Sequence, residues 1–148
     1  MPRNQESAST VIDAPAEKIF ALLTDPAMHP LIDGTGSVLG VQDGSPERLT
    51  LGSKFGMDMK IGAPYKILNE VVEYDQDRLI AWRHFYGHRW RWQLKPLSDK
   101  RTEVTETFDW STTRFPLLLT LTPFPRRNRD GIEKSLVRLA DIATAPGQ

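Results

Sequence analysis

Cysteine is absent from the 148-residue sequence. That excludes zinc ribbons, iron–sulfur clusters, thiol catalysis and any disulfide framework. An excess of either charge is also missing, because 19 Lys+Arg balance 19 Asp+Glu. Generic nucleic-acid binding draws on a whole-domain positive field, and none exists here. Long hydrophobic runs are lacking too. The most apolar stretch, around Phe115 to Leu121, is far short of the roughly 20 residues a membrane helix requires. Met1 to Thr10 is polar and has no apolar core of the kind a secretory signal carries. The expectation is a cytoplasmic protein with no stable membrane insertion and no nucleic-acid partner. A chain this long buries roughly 70% of its unfolded surface, so it needs neither disulfide nor metal to hold a core.

What is present is a clear change of period along the chain. Residues 1–6 read as a tail, 7–144 as a single domain and 145–148 as a second tail. Ser7 to Ile12 is rich in β-branched residues and suits an opening strand. Asp13-Ala14-Pro15 ends it and starts a helix, with proline at the first helical position. Ala16, Ile19, Phe20 and Leu23 then form one buried helical stripe. Asp25-Pro26 stops that helix, Met28 to Ile32 forms a short second one, and Asp33-Gly34-Thr35-Gly36 is a turn. From Ser37 to Trp110 the period is two. Strands are expected at about 37–42, 53–61, 66–74, 78–85, 88–96 and 102–110. Their short connections imply an antiparallel meander. A final amphipathic helix runs from about Arg129 to Ala143, its stripe being Ile132, Leu136, Leu139 and Ala143, broadened by Val137 and Ala140. The order is β-α-α-β6-α, an α+β domain whose last helix covers the apolar face of a curved sheet.

The run from Ser9 to Pro26, STVIDAPAEKIFALLTDP, resembles the opening of START-like proteins, the polyketide cyclase/dehydrase and lipid-transport superfamily. Glu73-Tyr74-Asp75, Arg78-Leu79-Ile80-Ala81-Trp82 and the tail from Gly131 to Leu139 fit the same superfamily. The resemblance spans roughly residues 7 to 143. It implies a helix-grip (Bet v 1-like) fold: a seven-stranded antiparallel sheet wrapped around the C-terminal helix, leaving an elongated cavity. Members bind lipids, polyketides, hormones or other hydrophobic molecules, and some are cyclases, aromatases or hydrolases. The fold does not choose among these.

Several residues could carry chemistry inside such a cavity. In His88-Arg89-Trp90-Arg91-Trp92-Gln93-Leu94-Lys95, alternation places His88, Trp90, Trp92 and Leu94 on one face and the basic residues on the other. The tryptophans are either ligand-facing walls or ordinary core packing. The separation of aromatic from basic side chains argues against an RNA stacking platform. The preceding strand offers Trp82, His84 and Tyr86. A histidine beside a tyrosine can polarise or deprotonate a phenol or β-keto group; the alternative is a solvated hairpin tip. Glu106 shares a face with Val104, Phe108 and Trp110. An inward carboxylate has a raised pKa and marks a candidate general acid or base, unless a bulge turns it to water. No metal site is expected, because only His84 and His88 of the three histidines, His29 included, lie near one another. No cofactor is expected either. Gly34-Thr35-Gly36-Ser37-Val38-Leu39-Gly40 imitates a dinucleotide loop but has the wrong spacing and leads into a strand.

Arg114, Arg126, Arg127 and Arg129 form a basic set before and at the start of the last helix, either an anion clamp or a solvated cluster. Leu117–Leu121 is too apolar for an ordinary exposed loop and could cap a cavity mouth or form a homodimer contact. Three functions follow in order of preference. The first is binding of a small hydrophobic ligand, with Trp82, Tyr86, His88, Trp90, Trp92, Phe108, Trp110 and Arg114 as its contacts. The second is a cyclase or aromatase in which Glu106 and His84 move protons. The third is an interaction or dimerisation module.

Overall fold

The computed structural model describes residues 5–34, 38–41, 45–61, 63–84, 87–111 and 124–145. Seven strands form one sheet in the order β1-β7-β6-β5-β4-β3-β2. They are β1 (Gln5–Ile12), β2 (Val38–Val41), β3 (Lys54–Ile61), β4 (Ala63–Asp75), β5 (Leu79–Arg83), β6 (Arg89–Ser98) and β7 (Arg101–Asp109). Two helices, α1 (Ala16–Leu23) and α2 (His29–Ile32), stand between β1 and β2, and α3 (Phe124–Ala143) closes the order. Every strand pairing is antiparallel. The meander follows from connections too short for any crossover. β1 then pairs with β7, with Gln5 opposite Asp109 and Ile12 opposite Thr102.

The local reasons are those the sequence offers, with several shifts of boundary. β1 begins at Gln5, inside the expected tail of residues 1–6. The Gln5 side-chain amide donates to Asp109 Oδ2 at 2.9 Å, which ties the strand end to β7. Pro15 is the N-cap residue of α1 rather than its first helical residue, with φ −68° and an extended ψ of 151°. Ala16, Ile19, Phe20 and Leu23 are the buried stripe of α1. Asp25 caps the 3-10 turn at Pro26–Met28 by accepting from the Ala27 amide at 3.0 Å. The last helix starts at Phe124 rather than Arg129, since a proline in the first turn loses no intrahelical bond. Val137 does not broaden its buried stripe. It lies about 100° around the helix from Leu136, on the side away from the sheet, and is 62% exposed.

The core lies between the concave sheet and the helices. It joins Ile19, Phe20 and Leu23 of α1 to Ile80, Trp92, Leu94, Val104 and Phe108 of the sheet and to Ile132, Leu136 and Leu139 of α3. Gly34 fixes how closely the α2–β2 connection approaches α3. Its amide donates to Ser135 Oγ at 2.7 Å, and a Cβ there would stand under 3.0 Å from Gly131 O, Lys134 Cβ and the Ser135 amide. Backbone cannot yield as a side-chain tip does. Gly34→Ala should therefore lower the unfolding free energy by about 1–3 kcal/mol, measured by urea denaturation; an unchanged midpoint would contradict this packing.

Candidate functional site

The hairpin between β5 and β6 is closed by two backbone bonds, His84 N–H to His88 O at 3.0 Å and Gly87 N–H to His84 O at 2.9 Å. Gly87 has φ +96°, a conformation that glycine adopts without strain. The turn folds His84 back over His88, with ring centroids 4.2 Å apart. His88 then meets Phe108 edge-on at 5.2 Å, Trp90 meets Phe108 at 4.9 Å, and Phe108 stacks on Trp110 at 5.5 Å. Register explains the run. Trp90 lies opposite Phe108 across β6 and β7 and opposite Trp82 across β5 and β6, so the inward residues of three strands converge.

Both hairpin histidines are half-buried. Desolvation carries His84 well below the usual imidazole range, with the adjacent His88 adding to the shift. Desolvation alone lowers His88 to about 4. The pair is neutral at pH 7. Neither side chain is fully exposed to water.

Glu106 lies between Val104 and Phe108 on the inward row of β7 and opposite Trp92 of β6. It is 5% exposed, and its Oε1 has no hydrogen-bond partner. Burial, followed by the Asp33 carboxylate, pushes its carboxyl well above the ordinary range. No hydrogen bond joins Glu106 to His84 or His88 among the described residues. The two candidate proton-moving groups share a face without forming a dyad.

The tryptophans divide into two groups. Trp82 is covered by α2: the His29 ring stacks on it at 4.7 Å and 21°, and Phe55 meets it edge-on at 5.7 Å. Trp92 is 3% exposed within the core. Trp110, at the end of the aromatic run, is equally enclosed at 4% exposed, and only Trp90 is partly buried. His29 is a core residue that sequence reasoning weighed only as a metal donor. Its Nε2 lies 2.9 Å from Leu23 O, and burial lowers its pKa. Its position in a short helix beside Pro30 carries no periodic signal by which it could have been found. Among the described residues no group of three or more potential ligands is placed to hold a metal ion.

On the convex face Arg91 grips Glu73 with two bonds, of 3.0 and 2.8 Å, and Arg89 adds a third at 2.8 Å. Arg91 also reaches Asp109 at 3.4 Å. Hydrogen bonds from Arg91 lead the lowering of the Glu73 pKa. Arg89 and Arg91 of β6 are thus on the opposite face from its aromatics and are held by carboxylates. Glu73→Ala should lower stability by about 1–2 kcal/mol at pH 7, and the loss should shrink as acid protonates Glu73 in the parent protein. A midpoint insensitive to the substitution would contradict the network.

Of the other candidates, Arg129 is 59% exposed at its side chain and 3.9 Å from Glu6 Oε2. Tyr86, Arg114 and Leu117–Leu121 lie outside the described residues, as do the side chains of Arg126 and Arg127. No described helix is long and apolar enough to cross a membrane.

Residues 5–144 match a family model described as polyketide cyclase/dehydrase and lipid transport. An uncharacterized protein of Mycobacterium tuberculosis is 39% identical over 140 residues, covering 91% of this chain and 62% of its own length. The chain thus spans less than two thirds of the curated relatives it matches. Among solved structures, a Chromobacterium violaceum protein superposes with a TM-score of 0.73 at 18% identity, covering 95% of this chain and 97% of that one. The Zhui aromatase/cyclase of a Streptomyces species superposes with a TM-score of 0.66 at 16% identity, covering 97% of each chain. The Aha1 dimer of Colwellia psychrerythraea gives 0.68 at 16%, covering 97% and 98%. At such identities the likeness is one of fold.

Proposed function

Because this chain belongs to the polyketide cyclase/dehydrase and lipid transport family, we propose that it binds a small hydrophobic, aromatic or lipid-like molecule between the sheet and α3. The observation that carries this reading is the inward run His88, Trp90, Phe108 and Trp110. His88 and the adjoining His84 are neutral at pH 7 and leave no net charge to desolvate when an apolar molecule arrives. Trp82 and Trp92 would support the site from the core, and Trp90 and Trp110 would touch the ligand. Tyr86 and Arg114, from the flanking segments, would supply polar contacts. Titration with the neutral fluorophore N-phenylnaphthylamine tests the reading. Saturable quenching of tryptophan fluorescence, reversed by a competing aromatic ketone, is expected. Emission that drifts linearly with added probe would overturn it.

A cyclase or aromatase is the second reading, and the unpaired Glu106 favours it. With no direct bond between Glu106 and the histidines, a substrate would have to bridge them for a proton to pass. Glu106→Gln would then abolish turnover of a poly-β-keto substrate while changing its Kd by less than about threefold, because the amide keeps the shape but cannot exchange a proton. Equal turnover by the variant would remove this reading.

A further inference from the structure

We propose that the Glu106 carboxyl is the polar anchor of the interior site, donating a hydrogen bond to a neutral ligand's carbonyl or hydroxyl oxygen and thereby selecting such molecules over anionic ones. This rests on the hydrophobic-binding reading above and names the ligand class within it.

The inference starts from an unmet requirement. A buried polar atom without a partner is uncommon, because leaving one unpaired costs free energy that folding rarely recovers. Glu106 Oε1 is such an atom, on a residue only 5% exposed. The strand does not force the defect. β7 pairs with β1 and β6 without a break at this position, with Ala8 and Trp92 as the cross-strand neighbours. The side chain therefore points inward by regular alternation, between Val104 and Phe108, both in the core. Sequence could have satisfied the position with leucine, yet it places there a group that hydrogen-bonds.

Its surroundings decide which form of the group is present. No basic side chain bonds to Glu106 among the described residues, and the Asp33 carboxylate at the α2–β2 connection acts on it electrostatically. Asp33 is itself anchored, its Oδ2 accepting from the Val38 amide at 3.1 Å. Burial first, and that charge second, favour the protonated form of Glu106. A carboxylic acid in an apolar wall is a donor waiting for an oxygen acceptor, and this one lies two residues along β7 from Phe108, on the same face. An anionic ligand would have to give up its water against that apolar wall, which a neutral one would not.

Three probes of nearly equal shape separate these requirements: methyl naphthyl ketone, ethylnaphthalene and naphthoate, titrated against parent protein, Glu106→Leu and Glu106→Gln. The parent should bind the ketone roughly 5- to 10-fold more tightly than ethylnaphthalene, the worth of one buried hydrogen bond, and naphthoate most weakly. Glu106→Leu should erase the ketone preference. Glu106→Gln, whose amide can still donate, should keep most of it. If all three probes bind the parent equally, or if the ketone preference survives in Glu106→Leu, the anchor is overturned while the hydrophobic site stands. If none of the three binds, the hydrophobic site itself falls and takes the anchor with it.

Discussion

Glu106→Leu should raise the unfolding free energy at pH 7 by about 1–3 kcal/mol, the amount a buried unpartnered polar group withholds from a fold. The pH dependence gives the sign independently. Burial and Asp33 raise the folded-state pKa of Glu106 above its ordinary value of 4.5. Below pH 4.5 both folded and unfolded states hold the proton, and Glu106 has no pH-dependent effect. As pH rises from there, the unfolded chain releases the proton while the folded one retains it, so the parent loses stability. The gain from leucine should therefore be lower at pH 4, where only the unpartnered neutral acid is removed, and larger at pH 7, where proton linkage adds to it. Glu106→Gln, which keeps the shape and lacks the charge, should show the same trend with a smaller plateau. Urea denaturation at the two pH values measures it. A leucine variant less stable than the parent at both would mean that Glu106 is paired in the folded protein. A stabilised variant that no longer prefers a ketone would show function held at the expense of stability.

His88→Phe should make the protein more resistant to acid, by about 2 kcal/mol at pH 5 relative to pH 7. The folded state holds His88 at a pKa of about 4, against an ordinary value of 6.5, and holds His84 well below 6.5. Between those limits the unfolded chain binds protons that the folded chain refuses, so stability falls as pH drops through the window from about 6.5 toward 4. A full shift at His88 is worth about 2 kcal/mol between pH 7 and pH 5. Partial exposure reduces that share and His84, relieved when its neighbour no longer charges, restores part of it. Phenylalanine keeps the edge contact with Phe108 and removes the titration. Glu106 acts in the opposite sense over the same range, so the parent's own pH profile blends two slopes. The difference between variant and parent isolates the histidine. Parallel curves at pH 5 and pH 7 would place His88 in water and take one member from the aromatic run.

The fold was legible because its signals are local and repeated. The α1 stripe of Ala16, Ile19, Phe20 and Leu23 and the alternation of β6 depend on a period, and a period survives small errors of boundary. The boundaries that moved did so for reasons outside their own segments. Gln5 joins β1 because Asp109 accepts its amide, a partner 104 residues away. Val137 leaves the α3 stripe because the sheet covers less of the helix circumference than its apolar content suggests. The site was only partly legible. Alternation places Glu106, Phe108 and Trp90 inward but does not reveal that Trp82 is covered by His29 or that Glu106 and the histidines share no bond. The cover of Trp82 depends on how α2 docks, and α2 has four residues with no period of their own. Gly34 carried a misleading pattern: its glycine serves a close approach to α3 rather than a phosphate.

Native mass spectrometry of freshly purified protein, repeated after organic extraction, tests most directly the central claim that a small hydrophobic molecule occupies the space between sheet and helix. The expected spectrum carries an added mass that extraction removes and that methyl naphthyl ketone replaces one-to-one. An unliganded mass in every preparation, unchanged when the ketone is added, would contradict the claim.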